Sequence, residues 1–287
     1  MNGMREGTVQ CVSETGFHRM AYVEWGDPAN RDVLLCVHGL TRCGRDFDEL
    51  ARAMSDRYRV VCPDIVGRGR SDWLTNKHLY APAQYCADIV ALLARLEAET
   101  LHWVGTSMGG LIGMVMAALP GSPLRRLVLN DAGPVFSAAS LARIGETLGK
   151  APRFDSLAQA EAFVRFVSQP FGPLTDAQWH HLTVHTVRQA DDGKFDFRYD
   201  PGLAVTFQDN LAATGGKDLE LWPVYEAIRC PTLLLRGAES DVLSRDVAAA
   251  MSQRGPRAQL IEFAGIGHAP VLMEADQIAP IREFLLQ

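Results

Sequence analysis

The chain has 287 residues, 47% of them hydrophobic, enough for one large α/β domain or for a core with an inserted subdomain. Its 28 basic and 34 acidic residues give a net charge of −6, and the arginines are scattered, so neither nucleic acid nor an anionic membrane surface is an expected partner. No apolar run is long enough for a membrane-crossing helix, and the six cysteines are widely spaced without a C-x-x-C pair, which excludes a disulfide framework or a cysteine metal site as the first reading.

In chain order, Gly7 to Val12 and His18 to Trp25, closed by Gly26-Asp27-Pro28, predict a β-hairpin at a sheet edge. Val33 to Val37 is a continuous apolar run, as in a strand buried on both faces of a parallel sheet. A helix around Asp46 to Met54, a strand at Tyr58 to Cys62 and a helix around Ala83 to Leu96 follow. Leu101 to Val104, the small-residue segment Gly110 to Leu119 and the strand Leu127 to Asn130 continue the βαβ rhythm. From Gly133 to about Tyr225 the rhythm changes to helices at Leu141 to Leu148, Leu157 to Val167, Asp176 to Arg188 and Gly202 to Leu211. Strand and helix then resume: Thr232 to Leu235, Leu243 to Ser252, Ala258 to Phe263, and a last helix from about Gln277. The fold expected is α/β, a doubly wound, mostly parallel sheet with a helical lid inserted after the sixth strand. Its core would comprise residues 1–133 and 226–287, with the lid at 134–225.

Gly105-Thr106-Ser107-Met108-Gly109 stands between an apolar strand and a helix-like segment, the setting of a nucleophile elbow. A serine hydroxyl needs a base and a group that orients the base. Among eight histidines, His268 lies in the glycine-rich loop Ala264 to Pro270, directly after the last strand, where its imidazole would face the crevice at the carboxyl ends of the strands. Asp241, in the loop after Thr232 to Leu235, completes the order Ser107, Asp241, His268; Asp131, ending its own strand, is the alternative acid. For the oxyanion, the backbone N–H groups of Met108 and of Leu40, in the loop His38-Gly39-Leu40-Thr41, are the expected donors. His38 reads as a structural hydrogen-bonder. His180, His181 and His185 read as surface or lid positions rather than a metal face, and His102 as a core or edge histidine.

With His38-Gly39, Asp64 to Ser71 (D-x-x-G-x-G-x-S), Gly105 to Gly109, Asp241 and Gly267-His268 in this order, the chain resembles the α/β-hydrolase superfamily, in its lid-bearing esterase and lactonase-like branch. The resemblance spans most of the core and implies a largely structural role for the Asp64 to Ser71 turn. Ser107 at the elbow sets aside members with an Asp nucleophile, such as haloalkane dehalogenases and epoxide hydrolases. Leu40-Thr41 after His38-Gly39 departs from the His-Gly-Gly-Gly loop of many lipases.

The expected function is a serine hydrolase acting through an acyl-enzyme on a small to medium carboxylic ester or lactone. C–C bond hydrolysis, thioester hydrolysis and cofactor-free perhydrolysis share the same residues, and a non-catalytic small-molecule receptor is the reading from another class. Trp73, Phe136, Trp179 and Trp222 are the candidate substrate contacts, implying a small-molecule substrate with an apolar part. No cofactor and no metal are expected. The N-terminus from Met1 to Gly7 lacks the apolar stretch of a signal peptide, so a cytoplasmic location is expected, with a homodimer possible.

Overall fold

Alternate residues of each central strand enter opposite layers of the core. Val33, Leu35 and Val37 pack into one apolar cluster while Leu34 and Cys36 pack into the other, and Leu127, Val128 and Leu129 repeat the pattern. All eight of these residues are fully buried, which is why their sequence runs apolar without a break. Truncating any one of the leucines to alanine would cost about 2–5 kcal/mol through lost transfer energy and the cavity left behind.

The computed structural model describes residues 3–287. The strands of the main sheet begin with the antiparallel pair β1 (Arg5–Ser13) and β2 (Gly16–Trp25), followed by β3 (Asp32–Val37). Helix α1 (Asp48–Met54), β4 (Arg59–Pro63), α2 (Pro82–Leu96), β5 (Thr100–Thr106), α3 (Met108–Ala118) and β6 (Leu124–Asn130) come next. Between β6 and the next main-sheet strand lie β7 (Val135–Phe136), α4 (Ala138–Thr147), α5 (Leu157–Val167), α6 (Asp176–Thr186), β8 (Val187–Gln189), β9 (Phe195–Phe197), α7 (Leu203–Ala213), β10 (Leu219–Glu220) and α8 (Trp222–Ala227). The sheet then ends with β11 (Thr232–Gly237), α9 (Arg245–Met251), β12 (Gln259–Phe263) and α10 (Ala275–Leu286). The strand order is β1-β2-β4-β3-β5-β6-β11-β12, parallel from β4 to β12. This is the α/β sheet expected, with the hairpin at its edge.

The segment between β6 and β11 differs in detail from the helices read in the sequence. The helix expected to run to Arg188 stops at Thr186, where the chain turns into the ribbon β8–β9. A second ribbon, β7–β10, pairs Phe136 with Leu219 and so joins the two ends of the segment. Strands of two or three residues are too short to show an alternating pattern. The segment is tied to the sheet's loops at several points. The Arg42 guanidinium donates to the Thr186 hydroxyl at 2.7 Å, and the Gly267 N–H donates to the Pro170 carbonyl at 2.7 Å. No helix among the described residues is long and apolar enough to cross a membrane. All six cysteines are free thiols.

Candidate active site

Ser107 sits between β5 and α3 with φ 52 and ψ −114, a backbone conformation that non-glycine residues seldom adopt. The elbow is held because its surroundings over-determine it. The Ser107 N–H donates to the Asn130 carbonyl at 3.0 Å, and the Ser107 carbonyl accepts from Leu111 N–H at 3.0 Å. The turn also needs glycine: a Cβ on Gly109 would lie 1.9 Å from the Val37 carbonyl oxygen, an overlap that no small shift relieves. Ser107 thereby caps the N-terminus of α3, where the helix dipole favours negative charge.

His268, on the loop after β12, joins this serine to an acid. Its Nε2 accepts from Ser107 Oγ at 2.9 Å, and its Nδ1–H donates to Asp131 Oδ2 at 2.6 Å. Asp131 follows β6 directly, at φ 51, and is wholly buried. It accepts two further hydrogen bonds, from the Ser240 hydroxyl at 2.5 Å and from the Gly237 N–H at 3.1 Å. These partners satisfy the carboxylate and leave its oxygen to fix the imidazole's tautomer.

Asp241, the first choice from the sequence, does not reach His268; the alternative acid, Asp131, does. Asp241 is on the surface, 53% exposed, in an ion pair with Arg143 at 2.7 Å. The loop after β11 reaches the acid through the neighbouring residue instead: the Ser240 hydroxyl occupies the place beside His268's partner. Ser240 was not identified from the sequence. A serine next to a loop acid carries no signal that tells which of the two turns inward.

The loop after β3 lies against the serine. A Cβ placed on Gly39 would stand 3.8 Å from Ser107 Cβ. Leu40 is half-buried and Met108 buried, and Met108 opens α3, where backbone N–H groups have no intrahelical acceptor. His38 is fully buried: its Nδ1–H donates to the Gly39 carbonyl at 2.7 Å, and its Nε2 accepts from Ile65 N–H at 2.9 Å. Burial pushes its pKa down to about 4, the Arg68 and Arg42 charges adding to the effect while the Gly39 bond and Asp46 oppose it. A neutral imidazole with both nitrogens engaged pins this loop to the one after β4.

The turn that follows β4 is built around Asp64. Its carboxylate accepts from Gly44 N–H at 2.8 Å and Arg70 N–H at 2.9 Å, although burial raises its pKa. Gly69 must be glycine here, because φ is +57 and a Cβ would lie 2.3 Å from the Asp64 carboxyl carbon. The turn sends the Arg68 side chain inward, where the guanidinium meets Leu40 and Met108.

The four aromatic residues named as candidate substrate contacts lie in separate surroundings. Trp73 is 40% exposed, lies under the Arg188 guanidinium at 5.2 Å, and borders a cavity of about 410 Å³ with Arg19, Arg70, Arg188 and Arg198. Neither Ser107, His268 nor Asp131 lines that cavity. Trp179 is buried within the packing of α5 and α6, with Arg165 at 5.9 Å. Trp222 carries the Arg254 guanidinium at 3.7 Å from its ring and meets Tyr225 edge-on. Phe136 is half-buried in the β7–β10 ribbon. From the segment between β6 and β11, Pro170 and Gly172 lie beside Gly267 and Ile266 of the His268 loop.

Two groupings of potential metal ligands lie elsewhere: Cys11 with His18 and Asp88, and Asp48 with His181 and His185. In the first, His18 Nε2 bonds Asp88 at 2.9 Å. In the second, Arg45 holds Asp48 through three contacts of 2.5 to 2.9 Å. His181 and His185 are four residues apart on α6 and stack edge-on with ring centres 4.7 Å apart.

Comparison with known proteins identifies the family of this fold. The family model described as alpha/beta hydrolase fold matches residues 32–275. A curated relative from Cupriavidus necator, named 3-hydroxybutyrate-oligomer hydrolase, is 47% identical over 98% of this chain and 97% of its own. Lipase LipV of Mycobacterium tuberculosis is 26% identical over 91% of this chain and 95% of its own. The crystal structure of an alpha/beta hydrolase from Novosphingobium aromaticivorans superposes with a TM-score of 0.86 at 33% identity, covering 100% of this chain and 99% of that one.

Proposed function

Because the chain belongs to the α/β-hydrolase family and is a hydrolase acting on ester bonds, we propose that Ser107, His268 and Asp131 are its catalytic triad and that its substrates are short linear esters of 3-hydroxybutyrate. The observation that carries the triad is His268, bonded to Ser107 Oγ at 2.9 Å through one ring nitrogen and to buried Asp131 at 2.6 Å through the other. The substrate class rests on the 47% identity over nearly the full length of both chains.

In this reading Ser107 Oγ attacks the ester carbonyl as His268 Nε2 takes its proton. The oxyanion is received by the Met108 and Leu40 N–H groups at the elbow and the facing loop. Collapse of the tetrahedral intermediate expels the alkoxide of the leaving hydroxy acid, which His268 protonates. Water, deprotonated by the same imidazole, then attacks the acyl-enzyme and releases the second acid and Ser107. Asp131 keeps Nδ1 protonated throughout and stabilises the imidazolium.

The test is a rate comparison across linear 3-hydroxybutyrate dimer and trimer, a β-lactone, a butyryl thioester and a diketone. The reading expects the linear oesters to have the highest kcat/KM and Ser107→Ala to abolish their turnover. Preference for the lactone, thioester or diketone would replace the substrate class, and turnover surviving in Ser107→Ala would remove the triad.

A further inference from the structure

Arg68 is a fully buried guanidinium behind the residues expected to bind the oxyanion. Its Nε donates to the Leu40 carbonyl at 2.8 Å, and its Nη2 lies 3.2 Å from Met108 Sδ. Nη1 donates to the Val66 carbonyl at 2.8 Å and to the Tyr85 hydroxyl at 3.0 Å. The flat cation is also stacked near Tyr85 and Tyr80, 4.9 and 5.7 Å from their ring centres.

Three nearby cations are paired with acids: Arg42 with Asp46, Arg70 with Glu6 and Asp64, and Lys77 with Asp200. Arg68 alone of this group forms no ion pair among the described residues, and one of its acceptors is a thioether, a weak one. A buried guanidinium without a carboxylate is costly, so a fold that retains one gains something else from the charge. The neighbours it holds indicate what is gained. Leu40 and Met108 are the two residues whose N–H groups receive the developing oxyanion in the proposed reaction.

Resting on that reading, we propose that Arg68 is a positioning residue for ester hydrolysis: it clamps Leu40 and Met108 and sets an uncompensated positive charge behind the oxyanion. It does not touch the substrate, being wholly enclosed. Its effect belongs to the transition state, because the negative charge it favours is absent from the uncharged ester group of the bound substrate.

The experiment compares Arg68→Met, which keeps an unbranched apolar stem and loses the charge, with Arg68→Lys, which keeps both charge and stem. kcat and KM are measured on a neutral activated butyrate ester, with the rate of phosphonylation of Ser107 by an uncharged fluorophosphonate and the thermal midpoint alongside. For Arg68→Met, kcat should fall about 10- to 100-fold at a KM within about twofold, with phosphonylation slowed in proportion. Arg68→Lys should recover part of the loss. If Arg68→Met does not fold, Arg68→Gln takes its place, and Lys must exceed Gln in kcat at unchanged KM. A loss confined to KM, a folded neutral variant with unchanged kcat, or a lysine variant no faster than the neutral one overturns the inference. Labelling of wild-type Ser107 separates the two claims: without it the triad reading fails, whereas labelling together with unimpaired Arg68 variants fails this inference alone.

Discussion

Replacing Asp131 by asparagine changes one atom and reverses one hydrogen bond. The carboxylate is fully buried and accepts from three donors: His268 Nδ1–H at 2.6 Å, the Ser240 hydroxyl at 2.5 Å and Gly237 N–H at 3.1 Å. Asparagine can keep its oxygen on Gly237, but its NH2 then faces two donors. His268 relieves the conflict by moving its proton to Nε2, and an Nε2–H cannot accept the proton of Ser107. The expected loss in kcat is about 10⁴-fold, about 5 kcal/mol in the barrier, with KM little changed. The paired control is Asp241→Asn, whose side chain and whose partner Arg143 are both 53% exposed. A surface pair of this kind contributes about 0–1 kcal/mol to stability and nothing to the imidazole. Steady-state hydrolysis of an activated butyrate ester near pH 8, with thermal midpoints for both variants, decides the matter. Asp131→Asn within tenfold of wild type, or Asp241→Asn more than a hundredfold slower, would refute the assignment of the acid.

Other predictions concern the supports of the site. Ser240→Ala removes a donor to Asp131 and an acceptor for the Val242 and Leu243 N–H groups, so a stability loss of about 1–3 kcal/mol in urea unfolding and a kcat lower by about tenfold are expected; an unchanged kcat would exclude Ser240 from orienting the acid. Gly109→Ala forces a Cβ to 1.9 Å from Val37 O and should leave little soluble, foldable protein; a variant with wild-type melting would contradict the close approach. Burial lowers the pKa values of His38 and His102 to about 4, so the unfolded chain binds more protons between pH 6.5 and 4, and stability should fall as pH drops through that window. The buried carboxyls Asp64 and Asp88, with raised pKa values, work in the opposite direction as pH rises above their unfolded values, so the single-site check is His102→Gln. That variant should show a shallower decline in urea midpoint between pH 6.5 and 4 than wild type, and an equal slope would show that His102 does not contribute.

Much of the fold was legible because the central strands are buried on both faces, and Val33 to Val37 or Leu127 to Asn130 can hardly be read otherwise. The pairing of Ser107 with His268 was legible because each has a local marker: a strand-turn-helix with forced glycines at Ser107, and a glycine-rich loop after the last strand at His268. The acid had no such marker. Asp131 and Asp241 both follow a sheet strand, and only the side-chain directions distinguish them. Asp131 leaves β6 at φ 51 and turns under His268, while the loop after β11 turns Ser240 inward and leaves Asp241 outside with Arg143. The surroundings of the aromatics between β6 and β11 were not legible for a related reason. A sheet assigns faces by alternation, but Trp179 and Trp222 took theirs from helix packing and from Arg165 and Arg254, partners whose proximity no spacing rule announces. Arg68 was hidden within a structural turn, since nothing in G-x-G-x-S says that the intervening side chain points toward the elbow.

The central claim, that Ser107 is the nucleophile of a Ser107–His268–Asp131 ester hydrolase, is tested most directly by the crystal structure of the protein after reaction with a butyl fluorophosphonate. The expected adduct is a phosphonyl group bonded to Ser107 Oγ, its oxygen about 3 Å from the Leu40 and Met108 nitrogens, with His268 still bridging to Asp131. An adduct on another residue, a phosphonyl oxygen turned away from both amides, or His268 paired with an acid other than Asp131 would contradict it.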